Sequence, residues 1–283
     1  MIFFGVGTGR CGTMFLSNLI NMEAKSLCLH EGYVRHLETK GSQILPPMIL
    51  QNHHAYQSKA ESKVIFQRMR GQMVEQRDSL NLRLFGDVGY YYIPFLHIIP
   101  KVFPQSRAIV MFRHGQDFVR SACVNAHPDP LPIGWPEKDA QLTPIERFIG
   151  LGRLRPLASD AVAGQWPRLS SFERNCWLWA ESNRLILDAI RHWSRHSILF
   201  VRFEELIADP VLEYRRIREF LGAEGRLPKE IKRILSRPIN RRPLASYALP
   251  PPRDWSLPQV KIFANMAGET MEALGYELQG PAS

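Results

Sequence analysis

Short runs rich in β-branched and aromatic residues alternate along the chain with longer stretches whose apolar residues recur every three or four positions. The short runs predict strands at Ile2–Val6, Ser26–His30, Arg83–Asp87, Arg107–Phe112 and Ser197–Arg202. The longer periodicity predicts helices between them. Phe15, Leu16, Leu19 and Ile20 mark the first, and Leu178, Leu185, Ile186, Ala189, Ile190 and Trp193 mark a later one. Another opens on Asp209-Pro210, a capping residue followed by proline at the first helical position, and closes at Gly222. The last runs from about Ser256 to Gly275. Strands separated by helices predict an α/β fold, with a parallel sheet of about five strands flanked by helices on both faces.

Two stretches break this rhythm. Residues 127–169 are rich in proline, glycine and tryptophan, and only Pro144–Leu151 has helical spacing. Residues 238–258 are again rich in proline. Both read as long loops over the open end of the sheet. No internal repeat or low-complexity tract interrupts the chain, so residues 1–283 are expected to form one domain.

Composition narrows the class. With 283 residues, 45% hydrophobic and 22% charged, the chain is ordinary globular protein. It lacks the roughly 18 consecutive apolar residues of a membrane helix. Met1–Val6 run straight into a glycine-rich turn, which leaves no room for a signal peptide and implies a cytoplasmic protein. Cys11, Cys28, Cys123 and Cys176 are scattered with no CxxC pair, which argues against disulfides and a zinc site, and no metal is expected. A net charge of +9 favours anionic partners: nucleotides, sulfated or phosphorylated acceptors, nucleic acid or acidic lipid.

The first strand leads into Gly7-Thr8-Gly9-Arg10-Cys11-Gly12-Thr13, and a helix follows. Such a turn lets backbone N–H groups converge on one anion at a helix N-terminus. The spacing from Gly7 to Gly12 matches the start of a Walker A loop, but Thr13 stands where the lysine belongs. That lysine reaches the terminal phosphates of a nucleoside triphosphate, so its absence argues against hydrolysis of ATP or GTP. Arg10 supplies a cation elsewhere in the loop. The string GTGRCGTMFL resembles the 5'-phosphosulfate loop of the sulfotransferase family. The resemblance implies a P-loop-like architecture and 3'-phosphoadenosine 5'-phosphosulfate as the co-substrate. It places Gly9, Arg10, Cys11, Gly12, Thr13 and Met14 around the 5'-phosphosulfate. Many members carry a second Thr or Ser where this chain has Met14.

The same family holds the 3'-phosphate with an arginine at a strand end and a serine eight positions later. Arg113 and Ser121 have that spacing. A guanidinium presents a planar fork to a phosphate, and serine adds a neutral donor two helical turns on. Most members have Asp-Pro after the arginine; this chain has His114-Gly115. The segment from Ile198 to Gly222 is similar to the family's late strand and helix. There Glu204 and Glu205 are expected to be structural or solvated rather than catalytic. Basic residues near the C-terminus of family members close over the 3'-phosphate, which points to Arg241 or Arg242, within the loop 238–258 that would cover the nucleotide.

Sulfuryl transfer needs a base for the acceptor hydroxyl and a cation for the leaving phosphate. His30 and Glu31 end the second strand, where open parallel sheets bind ligands. Because neighbouring strand residues face opposite ways, one of the two is expected to face the sulfur. Some sulfotransferases carry a carboxylate here, so Glu31 is the expected base, His30 its orienting partner and Arg10 the stabilising cation. Asp87, at another strand end, is the alternative base. The acceptor side falls to the unmatched middle region, where Trp135, Trp166, Phe172 and Trp177 could stack on a sugar or simply pack. Arg153 and Arg155 could read an anionic acceptor or face solvent. The acceptor could be a carbohydrate, a lipid headgroup or a small metabolite. The competing classes are a divergent phosphotransferase and a non-enzymatic anion-binding protein. The first lacks its lysine, and the second leaves the spaced anchors unexplained.

Overall fold

The structure, a computed structural model, describes residues 1–34, 43–124, 134–223 and 247–281. Five strands form one parallel sheet: β1 (Ile2–Gly7), β2 (Ser26–His30), β3 (Leu84–Val88), β4 (Arg107–Phe112) and β5 (Ile198–Arg202). Their order across the sheet is β2-β3-β1-β4-β5. Each predicted strand is present, its ends within one residue of the expected ones.

Alternation along the strands sorts the core into two layers. Ile2, Phe4, Val6, Ala108 and Val110 face one hydrophobic cluster; Phe3, Ile109 and Met111 face the other. Helix α1 (Thr13–Ile20) covers the second face. Between β2 and β3 lie α2 (Ile49–Gln57), α3 (Ser62–Arg70) and α4 (Met73–Ser79). The apolar pattern did not mark these three helices. Their buried positions include Asn52, His53, Ser62 and Arg70, so the inward face does not read as hydrophobic. A 3-10 turn (Tyr90–Phe95) and α5 (Ile99–Val102) lead to β4, and α6 (Gly115–Ala122) follows it.

The middle region forms α7 (Pro144–Leu151), the helix its spacing predicted, closed by a Thr143/Glu146 capping box. Then come α8 (Ser171–Ile190), α9 (Phe203–Ala208), α10 (Pro210–Leu221) and α11 (Leu257–Ala273). The expected ends hold. The Asp209 side chain accepts from the Leu212 amide, Gly222 closes α10 at φ 66°, and Ser256 caps α11 through Gln259. Tyr214, Ile217 and Leu221 of α10 join α1 on the second face, while α8 and α11 cover the first. Among the described residues, no helix is long and apolar enough to cross a membrane, and the four cysteines are buried thiols.

One polar group is built deep into the carboxyl end of the sheet. Asp87 is fully buried and paired with Arg70 of α3 at 3.1 Å, itself inaccessible. Tyr92 donates its hydroxyl to the same carboxylate oxygen at 2.6 Å, and Arg70 donates to Tyr92 in turn at 2.5 Å. The other carboxylate oxygen accepts the Gly32 amide at 3.1 Å. The charge is thus matched and its lone pairs are used, the condition under which a buried ion pair is tolerated. Arg70→Leu leaves Asp87 buried without its counter-charge. It is expected to cost about 3–5 kcal/mol of stability, read as a shift of the chemical-denaturation midpoint.

Candidate functional site

The glycine-rich turn has the backbone of an anion cradle. Gly9, Arg10 and Gly12 all take left-handed conformations, at φ 80°, 53° and 89°. Left-handed residues interleaved in a turn aim successive N–H groups to one side. Helix α1 starts at Thr13 with no side-chain cap and no acidic residue in its first turn. Its N-terminal donors and positive dipole end therefore point at the cradle without a built-in anion. Gly12 has to be glycine on two counts. Its φ is left-handed, and a Cβ would lie 3.0 Å from the Phe203 ring.

The side chains of this loop divide by role. Cys11 points into the core beside Gly7 and is wholly buried, and desolvation pushes its thiol up to about 11. It can serve an anion through its backbone alone. Met14, at the irregular position, is half-buried on the first turn of α1. Thr13 places its hydroxyl 3.2 Å from His30 Nε2. Arg10 reaches out of the loop and donates from Nε to the Ser121 hydroxyl at 2.9 Å.

That last contact joins the two predicted anchors. Arg113, at the end of β4, donates from a terminal nitrogen to the Arg10 carbonyl at 2.6 Å. Its guanidinium stacks over the Phe203 ring, 4.7 Å from the centroid, and Trp179 holds its carbonyl at 3.0 Å. Arg113 Nε is buried and has no hydrogen-bond partner among the described residues. Burial lowers its pKa, with Asp117 and Glu204 opposing that fall. Ser121 is buried on α6, two turns beyond the helix start. A planar cation with an unused inward donor, beside a buried hydroxyl, is equipped to receive an anion.

At the end of β2, strand parity decides which way His30 points. His30 lies on the same face as Cys28, the face covered by α1, and so meets Thr13 of the loop. Glu31 lies past the strand, at φ 57° and partly exposed, with its amide donating to Val88. A non-glycine residue in the left-handed region is uncommon and often marks a functional turn. The next residue, Gly32, is the one whose amide Asp87 holds. Asp87 is thus occupied by Arg70, Tyr92 and this turn; its geometry is that of a support, which removes it as the alternative base.

The structure also buries titratable groups that the sequence did not mark. Tyr90 follows β3 directly, and Glu31 and Arg153 are its nearest charged influences. Burial, then Glu31, pushes its phenol well up, so it stays neutral. His53 of α2 is buried, and both its ring nitrogens lack a partner among the described residues. Burial, with Arg155 second, pulls it down to about 4. Neither residue sits in a motif, and no spacing could have flagged them.

Of the two middle arginines, Arg153 does not face solvent. It is 3% exposed, under the Trp135 ring, while Arg155 is half-buried. Trp135, Trp166 and Trp177 pack edge to face in a half-buried row, and Phe172 packs on Trp255. Glu204 is structural: it accepts the His114 amide at 2.9 Å. Arg241 and Arg242 lie outside the described residues.

Residues 161–249 match the model of the sulfotransferase domain family. The match spans the middle region's end, α8, β5, α9 and α10 rather than the glycine-rich turn. Among curated proteins, no sequence matches. In fold, the chain is similar to a sulfotransferase from Alicyclobacillus acidocaldarius, with a TM-score of 0.51 and 15% identity over 98% of this chain and 96% of that one. At that identity the likeness is one of fold. Looser superpositions pair it with the sulfotransferase domain from the curacin biosynthetic pathway (TM-score 0.49, 14% identity, 98% of each chain). Mouse sulfotransferase SULT7A1 complexed with PAP gives a TM-score of 0.46 and 16% identity over 96% of this chain and 84% of that one. The resemblance to the sulfotransferase family is borne out by this match, which contains Ile198–Gly222 but neither the glycine-rich turn nor Arg113 and Ser121, and the expected fold by the likeness to a solved sulfotransferase.

Proposed function

We propose that this sulfotransferase takes its sulfuryl group from 3'-phosphoadenosine 5'-phosphosulfate and passes it to a hydroxyl of a carbohydrate, lipid headgroup or small metabolite. The observation that carries the reading is the contact between the anchors: Arg10 on Ser121 and Arg113 on the Arg10 backbone. Phosphates on the 5' and 3' positions of one ribose need two anion sites close together. A nucleoside triphosphate needs them strung along one loop, with the lysine that Thr13 replaces.

The residues fit the donor. The left-handed turn at Gly9, Arg10 and Gly12 and the uncapped start of α1 suit the 5'-phosphosulfate, with Thr13 adding a hydroxyl. Arg113, whose Nε has no hydrogen-bond partner among the described residues, and Ser121 suit the 3'-phosphate. Arg241 and Arg242 are proposed to close over it from the C-terminal loop. When bound, the donor supplies a sulfuryl group already activated on a phosphate oxygen. Arg10 and the loop amides stabilise the charge gathering on that leaving oxygen. The acceptor oxygen attacks sulfur in line as the bond to the phosphate breaks, and its proton goes to a base.

Glu31 is that base. His30 has its Nε2 engaged with Thr13, so it orients the loop and the strand end. Glu31, partly exposed and held in its turn by Gly32 and Asp87, keeps a carboxylate at the mouth. The middle region 127–169, of which 127–133 lie outside the described residues, is read as the acceptor side. The reaction calls for no metal and no nucleic acid, and the whole chain is read as one cytoplasmic enzyme.

Two measurements test this. Arg113→Ala should weaken binding of 3'-phosphoadenosine 5'-phosphate, measured by calorimetry without magnesium, by about ten- to a hundredfold, the worth of charge-assisted hydrogen bonds. Unchanged affinity sinks the second anchor. Glu31→Gln should keep that affinity while turnover falls by roughly 10²- to 10⁴-fold. Near-normal turnover removes Glu31 from the role.

A further inference from the structure

The 3'-phosphate anchor is set on a turn that departs from its family, and the C-terminus of the chain is tied to that turn. Arg113 comes directly after β4 and is followed by His114-Gly115, where α6 starts without a side-chain cap. Proline cannot stand at 115 in this packing. A Cβ there would lie 2.7 Å from the Phe263 ring and 3.0 Å from Trp179. The rigidity a proline gives to a helix start is therefore unavailable. A flexible glycine sits beside the residue that must aim a guanidinium.

Hydrogen bonds supply the missing constraint. Glu204 accepts the His114 amide on one carboxylate oxygen at 2.9 Å and the Tyr276 hydroxyl on the other at 3.0 Å. The Tyr276 ring is held between the Arg202 guanidinium, 4.5 Å from its centroid, and the His114 imidazole at 5.2 Å. His114 Nε2 donates to the Glu277 carbonyl at 2.9 Å. The Gln116 side chain, fully buried, donates to the Gln279 carbonyl and accepts the Gln279 amide, both at 2.7 Å. Arg202, at the end of β5, fixes the start of this segment by donating to the Leu274 carbonyl at 2.6 Å. Tyr276, Glu277 and Gln279, all just past α11, and Glu204 of α9 converge on residues 114–116, while Arg202 of β5 holds the start of the segment.

We infer that residues 276–279, held through Glu204, form a strap that sets the β4–α6 turn so that Arg113 and Ser121 face the 3'-phosphate, with Tyr276 and Glu204 as its positioning residues. The inference rests on the donor assignment made above. It predicts an effect larger at the 3'-phosphate than at the 5' group, since the strap touches the Arg113 turn directly and reaches the glycine-rich loop only through the contacts of Arg113 and Ser121 with Arg10.

The test is the ratio of affinities for 3'-phosphoadenosine 5'-phosphate and adenosine 5'-monophosphate, which lacks the 3'-phosphate. It is measured by calorimetry on the full chain and on Tyr276→Phe, Glu204→Ala and Glu204→Gln. Tyr276→Phe removes one hydroxyl from the strap. It should lower the ratio by about tenfold, the bisphosphate affinity falling more than the monophosphate affinity, and Glu204→Ala should do so at least as strongly. Glu204→Gln keeps an oxygen for the His114 amide and should stay within about twofold of the parent. A general loss of stability would weaken both ligands together. An unchanged ratio in Tyr276→Phe and Glu204→Ala overturns the strap. A parent chain with no preference for the bisphosphate overturns the donor assignment instead, and the strap's role with it.

Discussion

The pairing of β1 with β4 is the constraint on which the rest of the site depends. Val6 lies opposite Val110 and Gly7 opposite Met111, so the two strands end side by side. Whatever follows them must meet. After β1 comes the glycine-rich turn; after β4 comes Arg113 and the start of α6. Their contact, through Arg10, Ser121 and Arg113, is the local result of sheet order rather than of either motif. β3 and then β2 flank β1 on its other side, so Glu31 and Tyr90 arise at ends that open onto the same crevice. The chain turns to opposite sides of β1, the kind of reversal at which open α/β sheets bind ligands.

Around this crevice, charged groups are fixed by other charged or polar groups, not by apolar packing alone. Asp87 balances Arg70 and holds the amide of Gly32, which sets the Glu31 turn. Glu204 stands in the same relation to the turn after Arg113. Each carboxylate uses one oxygen on a backbone N–H and the other on a tyrosine hydroxyl. Such a bond is stronger than a neutral one, and its direction fixes a backbone position that glycine leaves loose. These two acids are therefore supports, while the acid proposed to react, Glu31, is partly exposed.

Residues with local signals were legible in the sequence. The strands were marked by apolar runs, α7 by its helical spacing, α10 and α11 by their capping residues, and the glycine-rich turn by its glycines. Arg113 and Ser121 were found through spacing within one strand–helix unit. Helices α2 to α4 were not, because Asn52, His53 and Arg70 occupy inward positions where the pattern demands apolar residues. Asp87 looked like a candidate base because a strand end is the right place for one. Its partner Arg70 is only 17 residues away, but nothing in a linear reading ties it to that carboxylate. Arg153 could equally have faced water until Trp135 was found over it.

By itself the sequence determined the layered α/β architecture, a glycine-rich turn without the lysine that a nucleoside triphosphate needs, and the spacing of Arg113 and Ser121 that resembles the family's. These are properties of neighbouring residues, written in periods of two and of three to four and in short spacings. The tertiary structure decided what the titratable groups touch. It turned Asp87 and Glu204 into supports, set His30 against Thr13, put Glu31 past the strand end at a left-handed turn, and brought residues 276–279 onto the turn after Arg113. The reason is distance along the chain. A carboxylate's role is set by what lies within about 3 Å of it, and for Glu204 one of those partners is 72 residues away.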